Sequence, residues 1–274
     1  MEGIYKVKDF ESQIDRVVTH GYDQGPGTGY FALDQHYRPK SGMFTVITGI
    51  PGMGKSEFLD QIIVRLAEKH GWRFALYSPE NFPLQQHFIK LAEKIEGQNF
   101  RKFDKSALRT AKQWIGDHFT WIYPPDKEPV TLDVILEKAK YLIESEGING
   151  FVLDPFGEIE HNRGNMSETD YTSHSLSKIR RFSREYDIHT WIVAHPTKLQ
   201  KDKITGNYPV PTPYDISGSA SWRNKLDFCI TVHRPDILKN ELQVYIQKVK
   251  FKQLGKIGQV DFLYDYETGR FKEK

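Results

Sequence analysis

Gly49-Ile50-Pro51-Gly52-Met53-Gly54-Lys55-Ser56 is the stretch on which the reading of this chain turns. Ahead of it runs Met43–Thr48, short, β-branched and apolar, with the character of a buried strand. Behind it, Lys55–His70 spaces Phe58, Leu59, Ile62, Ile63 and Leu66 as one face of a helix, and Gly71 supplies a stop. A glycine-rich turn between a strand and a helix lets backbone N–H groups curl around phosphate oxygens. Lys55 can reach the β- and γ-phosphates of a nucleoside triphosphate, and Ser56 can ligate Mg²⁺. The helix N-terminus adds a dipole favourable to the anion. The octet Gly49, Ile50, Pro51, Gly52, Met53, Gly54, Lys55 and Ser56 is the candidate site for ATP or another NTP. The bland alternative is a glycine-rich turn with an exposed lysine; the flanking strand and helix favour the phosphate loop.

Outward from this unit, strands and helices alternate. Trp72–Ser78 reads as a strand, Pro83–Glu96 and Ser106–Asp117 as helices, and Phe119–Tyr123 as a strand stopped by Pro124-Pro125. Thr131–Glu146 is helical in period, Phe151–Leu153 a short buried strand, Ser167–Tyr186 a helix and Thr190–Ala194 a strand. Pro196–Tyr214, rich in proline, glycine and lysine, predicts a long exposed loop. Phe228–His233, Leu242–Phe251 and Gln259–Tyr266 then follow as strands without helices between them. This pattern predicts an α/β fold: a mostly parallel sheet flanked by helices, with antiparallel strands added at the C-terminal edge. Residues 1–28 form a polar lead-in with one weak helical stretch, Asp9–Thr19, and residues 29–274 form one domain.

A phosphate loop needs a carboxylate near Mg²⁺ and a base for the attacking water. Asp154 ends the apolar run Gly150-Phe151-Val152-Leu153, which places it beside the phosphate crevice of a parallel sheet. Its other reading is a cap on the turn before Pro155. Glu80, in Ser78-Pro79-Glu80-Asn81 after the second strand, is positioned to orient water or stands solvated in a proline turn. His195 ends another strand, just before Pro196; a lone histidine is most often structural. Strand ends of a parallel sheet converge on one crevice, which favours the functional reading of all three.

Bulk properties exclude more than they identify. Lys and Arg number 38 against 36 Asp and Glu, a net charge of +2, so any nucleic-acid surface must be local. The one cysteine, Cys229, can form neither an internal disulfide nor a cysteine-cluster zinc site, and it points to the cytoplasm or another reducing compartment. No apolar run approaches the roughly 18 residues that cross a bilayer, so no membrane partner is expected. Lys248, Lys250 and Lys252 alternate as one face of a strand would, which reads as a solvated stripe, an edge-strand guard or a phosphate contact.

The order of these residues resembles the helicase domain of the DnaB-like replicative helicases, in particular the Twinkle-like and phage primase-helicase branch, over about residues 29–271. Tyr77-Ser78-Pro79-Glu80-Asn81 resembles the segment bearing that family's catalytic glutamate, and Val193-Ala194-His195-Pro196-Thr197-Lys198 resembles the motif that senses the γ-phosphate. Asp215-Ile216-Ser217-Gly218-Ser219-Ala220-Ser221, with Asp227 and Arg234 after it, resembles the DNA-proximal motif. The resemblance implies a RecA-like core and a homo-oligomeric ring of six subunits with ATP sites between them. It also implies single-stranded DNA held in the central channel by loops at His161–Ser167 and Lys198–Ser217. It offers Lys198, Lys201, Lys203, Gly218, Ser219 and Asn224 as DNA contacts, and Arg234 and Tyr264 as the pair flanking the nucleotide base. The family's late Lys-x-Arg, whose arginine acts on the neighbouring subunit's phosphate, stands here as Lys248-Val249-Lys250, so Lys250 takes the finger position without the planar fork. No zinc-binding or primase-type segment precedes residue 29, and priming is not expected of this chain.

Overall fold

A computed structural model describes residues 3–125, 127–203, 206–218 and 221–274. In chain order these form α1 (Glu11–His20), α2 (Phe31–Asp34), β1 (Phe44–Thr48), α3 (Lys55–His70), β2 (Phe74–Tyr77), α4 (Leu84–Glu96), α5 (Lys105–His118), β3 (Phe119–Trp121), α6 (Leu132–Glu146), β4 (Gly150–Leu153), α7 (Glu168–Glu185), β5 (His189–Val193), α8 (Ser221–Lys225), β6 (Phe228–His233), β7 (Glu241–Val249), β8 (Gly258–Tyr264) and β9 (Phe271–Glu273). The strands make one sheet in the order β3-β2-β4-β5-β1-β6-β7-β8-β9. β1 to β6 run parallel, and β7, β8 and β9 are added antiparallel. The expected α/β architecture is thus the one the chain adopts.

The central strands are buried end to end because helices cover both faces. On one face Phe58, Ile62 and Leu66 of α3 pack with Ile47, Phe74, Val152 and Trp191; on the other, Ile135 and Ala139 of α6 and Leu176 and Ile179 of α7 pack with Phe44, Val46, Phe151 and Ile192. Alternate residues of each strand therefore serve opposite cores. The helix ends follow the sequence. Asp104, Thr131 and Ser167 cap α5, α6 and α7 by accepting backbone N–H groups, and Gly71, Gly97 and Gly147 close α3, α4 and α6 in left-handed conformation.

Three sequence expectations are corrected. α8 and β9, five and three residues long, went unread because such short elements carry no periodicity. The lysine stripe is not one strand face. Cys229 pairs with Lys248 while Ile230 pairs with Ile246, so Gln247 is an extra residue just ahead of the three lysines. β7 then ends at Val249, and Lys252 lies in a 3-10 turn, Lys252–Leu254. Nor is β7 an edge strand, since it pairs on both sides.

Gly150 opens β4 where no side chain fits. A Cβ there would stand 2.5 Å from the Phe74 ring and 3.0 Å from that of Trp191, both fully buried. Gly150→Ala is expected to destabilise the fold by about 1–3 kcal/mol, the usual cost of overpacking. Urea unfolding monitored by tryptophan fluorescence would register this as a lower midpoint at unchanged slope.

Candidate nucleotide-binding and catalytic site

The phosphate loop leaves β1 at the centre of the sheet, where the chain's path reverses: α3 carries it toward β2 on one side, and β6 lies on the other. Such reversals leave a crevice beyond the strand C-termini. Register fixes what faces it. Ile47 pairs with Val193, Leu153 with Ile192 and Tyr77 with Leu153, so the four strands end at nearly one height. The residues next in sequence come to the crevice together: the loop from β1, Ser78 and Glu80 from β2, Asp154 from β4 and His195 from β5.

Gly49 and Gly54 meet steric demands. A Cβ on Gly49 would strike the Val232 carbonyl, and Gly54 opens α3 at φ +90°. Lys55 is folded into the loop, its Nζ donating to the Gly49 carbonyl at 2.9 Å and the Ile50 carbonyl at 3.3 Å. Burial lowers its ammonium to about 8, against the pull of the Asp154 and Glu80 carboxylates. A partly desolvated cation held by carbonyls is suited to exchange them for phosphate oxygens. A cavity of ≈ 480 Å³ is lined by Pro51, Gly52, Gly54, Lys55, Ser56, Glu57, Glu80, Lys90 and His195. Lys55, Ser56, Glu80 and His195 thus meet in one space.

Asp154 lies beneath, with Oδ2 accepting from the Ser78 hydroxyl at 3.4 Å and Oδ1 buried without a hydrogen-bond partner. Burial raises its carboxyl to about 6, with the Ser56 hydroxyl opposing. An orphaned carboxylate oxygen beside a hydroxyl suits a hard cation, and Mg²⁺ takes few protein ligands because it keeps water and phosphate oxygens. Among the described residues no group of three or more His, Cys, Asp and Glu converges as a self-sufficient metal cage, in keeping with that donor set. His195 Nε2 stands 3.7 Å from Glu80 Oε1, while Nδ1 is buried without a partner. Burial and then the Lys55 cation lower the imidazole below its ordinary value, so at neutral pH it is neutral and the contact is no ion pair.

A second cleft, of ≈ 160 Å³, adjoins the first through Gly54 and Glu57 and is lined by Arg234 and Tyr264 together with Met53. The two residues expected to flank the base therefore do share a wall. Arg234 donates to the Tyr266 hydroxyl at 2.7 Å, and burial holds the Tyr264 hydroxyl above the usual phenol range. The remaining candidates lie elsewhere. Lys198, Lys201 and Lys203 are exposed on the segment between His195 and α8, which Pro211 fastens to β6 by accepting from Thr231 Oγ1 at 2.9 Å. Gly218 ends that segment at φ +100°, Asn224 is exposed on α8, and Ser219 falls outside the described residues. Lys250 is at the opposite end of the sheet from the phosphate loop. Its Nζ donates to the buried Asp227 at 2.9 Å, whose other oxygen accepts from the N–H of Phe44, the first residue of β1.

Sequence reasoning missed Glu57 and Lys90, which line the cavity from α3 and α4, and Lys94, wholly buried against Glu57 and the Gly269 carbonyl. A lysine and a glutamate on amphipathic helices look solvated in sequence; only the packing of α4 on α3 turns them inward.

The burial of Asp154 has a cost that titrates. Its carboxyl ionises near pH 6 in the fold and near 4 in an unfolded chain, so its stabilising share is complete below about pH 4 and is lost as pH rises through 6. Asp154→Asn is therefore expected to match the parent protein at pH 4 and to exceed it by up to roughly 3 kcal/mol above pH 6 in metal-free buffer. Denaturant unfolding at several pH values checks this; a constant difference between the two proteins would remove burial as the cause.

The comparisons with known proteins agree with this geometry. The DnaB-like helicase C-terminal domain family matches residues 25–273. The Twinkle homolog protein, chloroplastic/mitochondrial, of Arabidopsis thaliana is 37% identical over 99% of this chain, and the DNA helicase/primase of Enterobacteria phage T3 is 21% identical over 86% of it. The aligned stretches make up only 40% and 43% of those two relatives. A solved DnaB-like replicative helicase, studied with its interactions with primase, superposes with a TM-score of 0.79 at 19% identity, over 97% of this chain and 68% of that one. Fold, crevice and sequence together make this chain a member of the DnaB-like helicase C-terminal domain family.

Proposed function

We propose that this chain is the ATP-driven motor domain of a DNA helicase, hydrolysing ATP with Mg²⁺ between subunits of a six-membered ring that moves along single-stranded DNA. The observation that carries the reading is the meeting of Lys55, Ser56, Glu80 and His195 in one cavity over the orphaned oxygen of Asp154. Lys55 and the loop amides hold the phosphates, and Ser56 and Asp154 hold Mg²⁺, which supplies charge neutralisation during phosphoryl transfer. Glu80, half-exposed at the cavity rim, accepts the proton of the attacking water. Neutral His195 at the end of β5 reports the γ-phosphate to the lysine-bearing segment that follows it. Arg234 and Tyr264 receive the base. Lys198, Lys201 and Lys203 meet DNA phosphates.

Lys250 acts on the neighbouring subunit. It stands at the far end of β1 from its own loop, separated by a strand of five residues, on the order of 15 Å. A cation so placed serves a phosphate only in trans. Asp227 holds it at the surface, and it contributes charge without an arginine's paired N–H donors.

Turnover tests the assignment. Lys55→Ala is expected to abolish hydrolysis and weaken nucleotide binding, whereas Glu80→Gln retains binding and loses about 10²–10⁴-fold in turnover. Single-stranded DNA should stimulate the unaltered chain, and fork unwinding separates a helicase from a DNA-dependent ATPase that does not unwind. Equal turnover with and without DNA, together with no unwinding, overturns the motor reading.

Trans action is read by mixing. Lys250→Ala is made together with Asp227→Asn so that no buried carboxylate is left unpaired. Combined with Lys55→Ala subunits, this inactive variant should regain ATPase activity, because some interfaces then join an intact loop to an intact Lys250. Co-assembly without recovery would place the activating cation elsewhere.

A further inference from the structure

Glu80 has no anchor of its own. It lies in the 3-10 turn Pro79–Asn81, about half exposed, and its contact with His195 is long at 3.7 Å. Its aim therefore depends on the turn that carries it, and that turn is fixed by its buried neighbour. Asn81 Oδ1 accepts from Lys90 Nζ at 2.8 Å, and Asn81 Nδ2 donates to Ser78 Oγ at 2.8 Å. Ser78 Oγ in turn donates to Asp154 Oδ2 at 3.4 Å. The direction of this chain is set by its ends. An ammonium only donates, so the Asn81 amide must turn its oxygen to Lys90 and its NH₂ to Ser78. The Ser78 hydroxyl, already receiving, sends its single proton to the carboxylate. One cation from α4 thus orients three side chains, from the turn, the end of β2 and the end of β4. Glu80 sits inside the span they brace, between Ser78 and Asn81.

The geometry points to Asn81 and Lys90 as positioning residues for Glu80. This deepens the proposed function and rests on it. Lys90 also stands 3.6 Å from Glu57 Oε2 and lines the phosphate cavity, where the nearby charges are Lys55, Glu57, Glu80 and, across Glu57, Lys94. A rival role is therefore direct contact of Lys90 with a phosphate. The two roles differ in what they change. A phosphate contact strengthens nucleotide binding; a brace on the Glu80 turn affects only the chemical step.

Steady-state ATPase kinetics and equilibrium binding of a fluorescent ATP analogue, on the full chain with single-stranded DNA, separate them. Asn81→Asp keeps volume and the Lys90 contact but removes the donor to Ser78; Lys90→Met removes the cation from a partly exposed side chain and keeps its apolar length. Each is expected to lower kcat by about 10- to 100-fold, the cost of a misplaced catalytic group, with nucleotide affinity held within about twofold. Lys90→Arg restores most of the loss. In a Glu80→Gln background neither substitution lowers kcat further, which a general loss of structure would not reproduce. Unchanged kcat in both variants, a fall in affinity that accounts for the loss, or a full additional loss in the Glu80→Gln background overturns the inference. Full turnover by Glu80→Gln itself instead removes Glu80 as the base, a failure of the functional reading that is separate from these.

Discussion

Parallel pairing in register is the constraint on which the rest of this molecule depends. β1, β2, β4 and β5 end within about a residue of one another, and each hands the residues that follow it to the same crevice. No one side chain there makes a site. Lys55 is occupied by carbonyls, Asp154 is too buried to ionise easily, and Glu80 is barely held. Chemistry arises because backbone hydrogen bonds between strands, formed far from any ligand, hold these groups at one height.

The crevice departs from the rule that buried polar atoms find partners. Thr48 Oγ1, Asp154 Oδ1 and His195 Nδ1 are buried beside it with none. Other buried polar groups are satisfied, as where His189 bridges Thr45 and Lys40 and Tyr37 links Thr45 to Trp191, but Asp60 Oδ2, Gln61 Oε1, Arg180 Nε and His233 Nδ1 also lack partners. Under the proposed function the three at the crevice are the ones a bound ligand can satisfy, local stability given up for binding capacity.

Much of this was legible in the sequence, for physical reasons that differ by residue. The phosphate loop could be read because backbone geometry leaves glycine few substitutes at Gly49 and Gly54. Asp154, Glu80 and His195 could be read because each ends an apolar run, and in a parallel sheet an ending has a fixed place. The Arg234 and Tyr264 pairing came from resemblance alone, since Tyr264 lies 30 positions further on, at the end of the second strand after Arg234. Glu57, Lys90 and Lys94 were not legible: their helices have ordinary amphipathic patterns, and α4 on α3 decides which polar residues turn inward. The stripe at Lys248, Lys250 and Lys252 was misread because the strand ends at Val249 and Lys252 enters a 3-10 turn, an ending that period-two patterning does not mark.

Lys250 lies at one end of the sheet and its own phosphate loop at the other, with β1 as the rigid distance between them. Under the proposed arrangement a lone subunit owns both halves of an active site and can never bring them together. Hydrolysis by this chain then becomes a measure of how many neighbours it has. Dilution alone would silence it with no change of shape, and idle consumption of nucleotide by unassembled chains is ruled out by length.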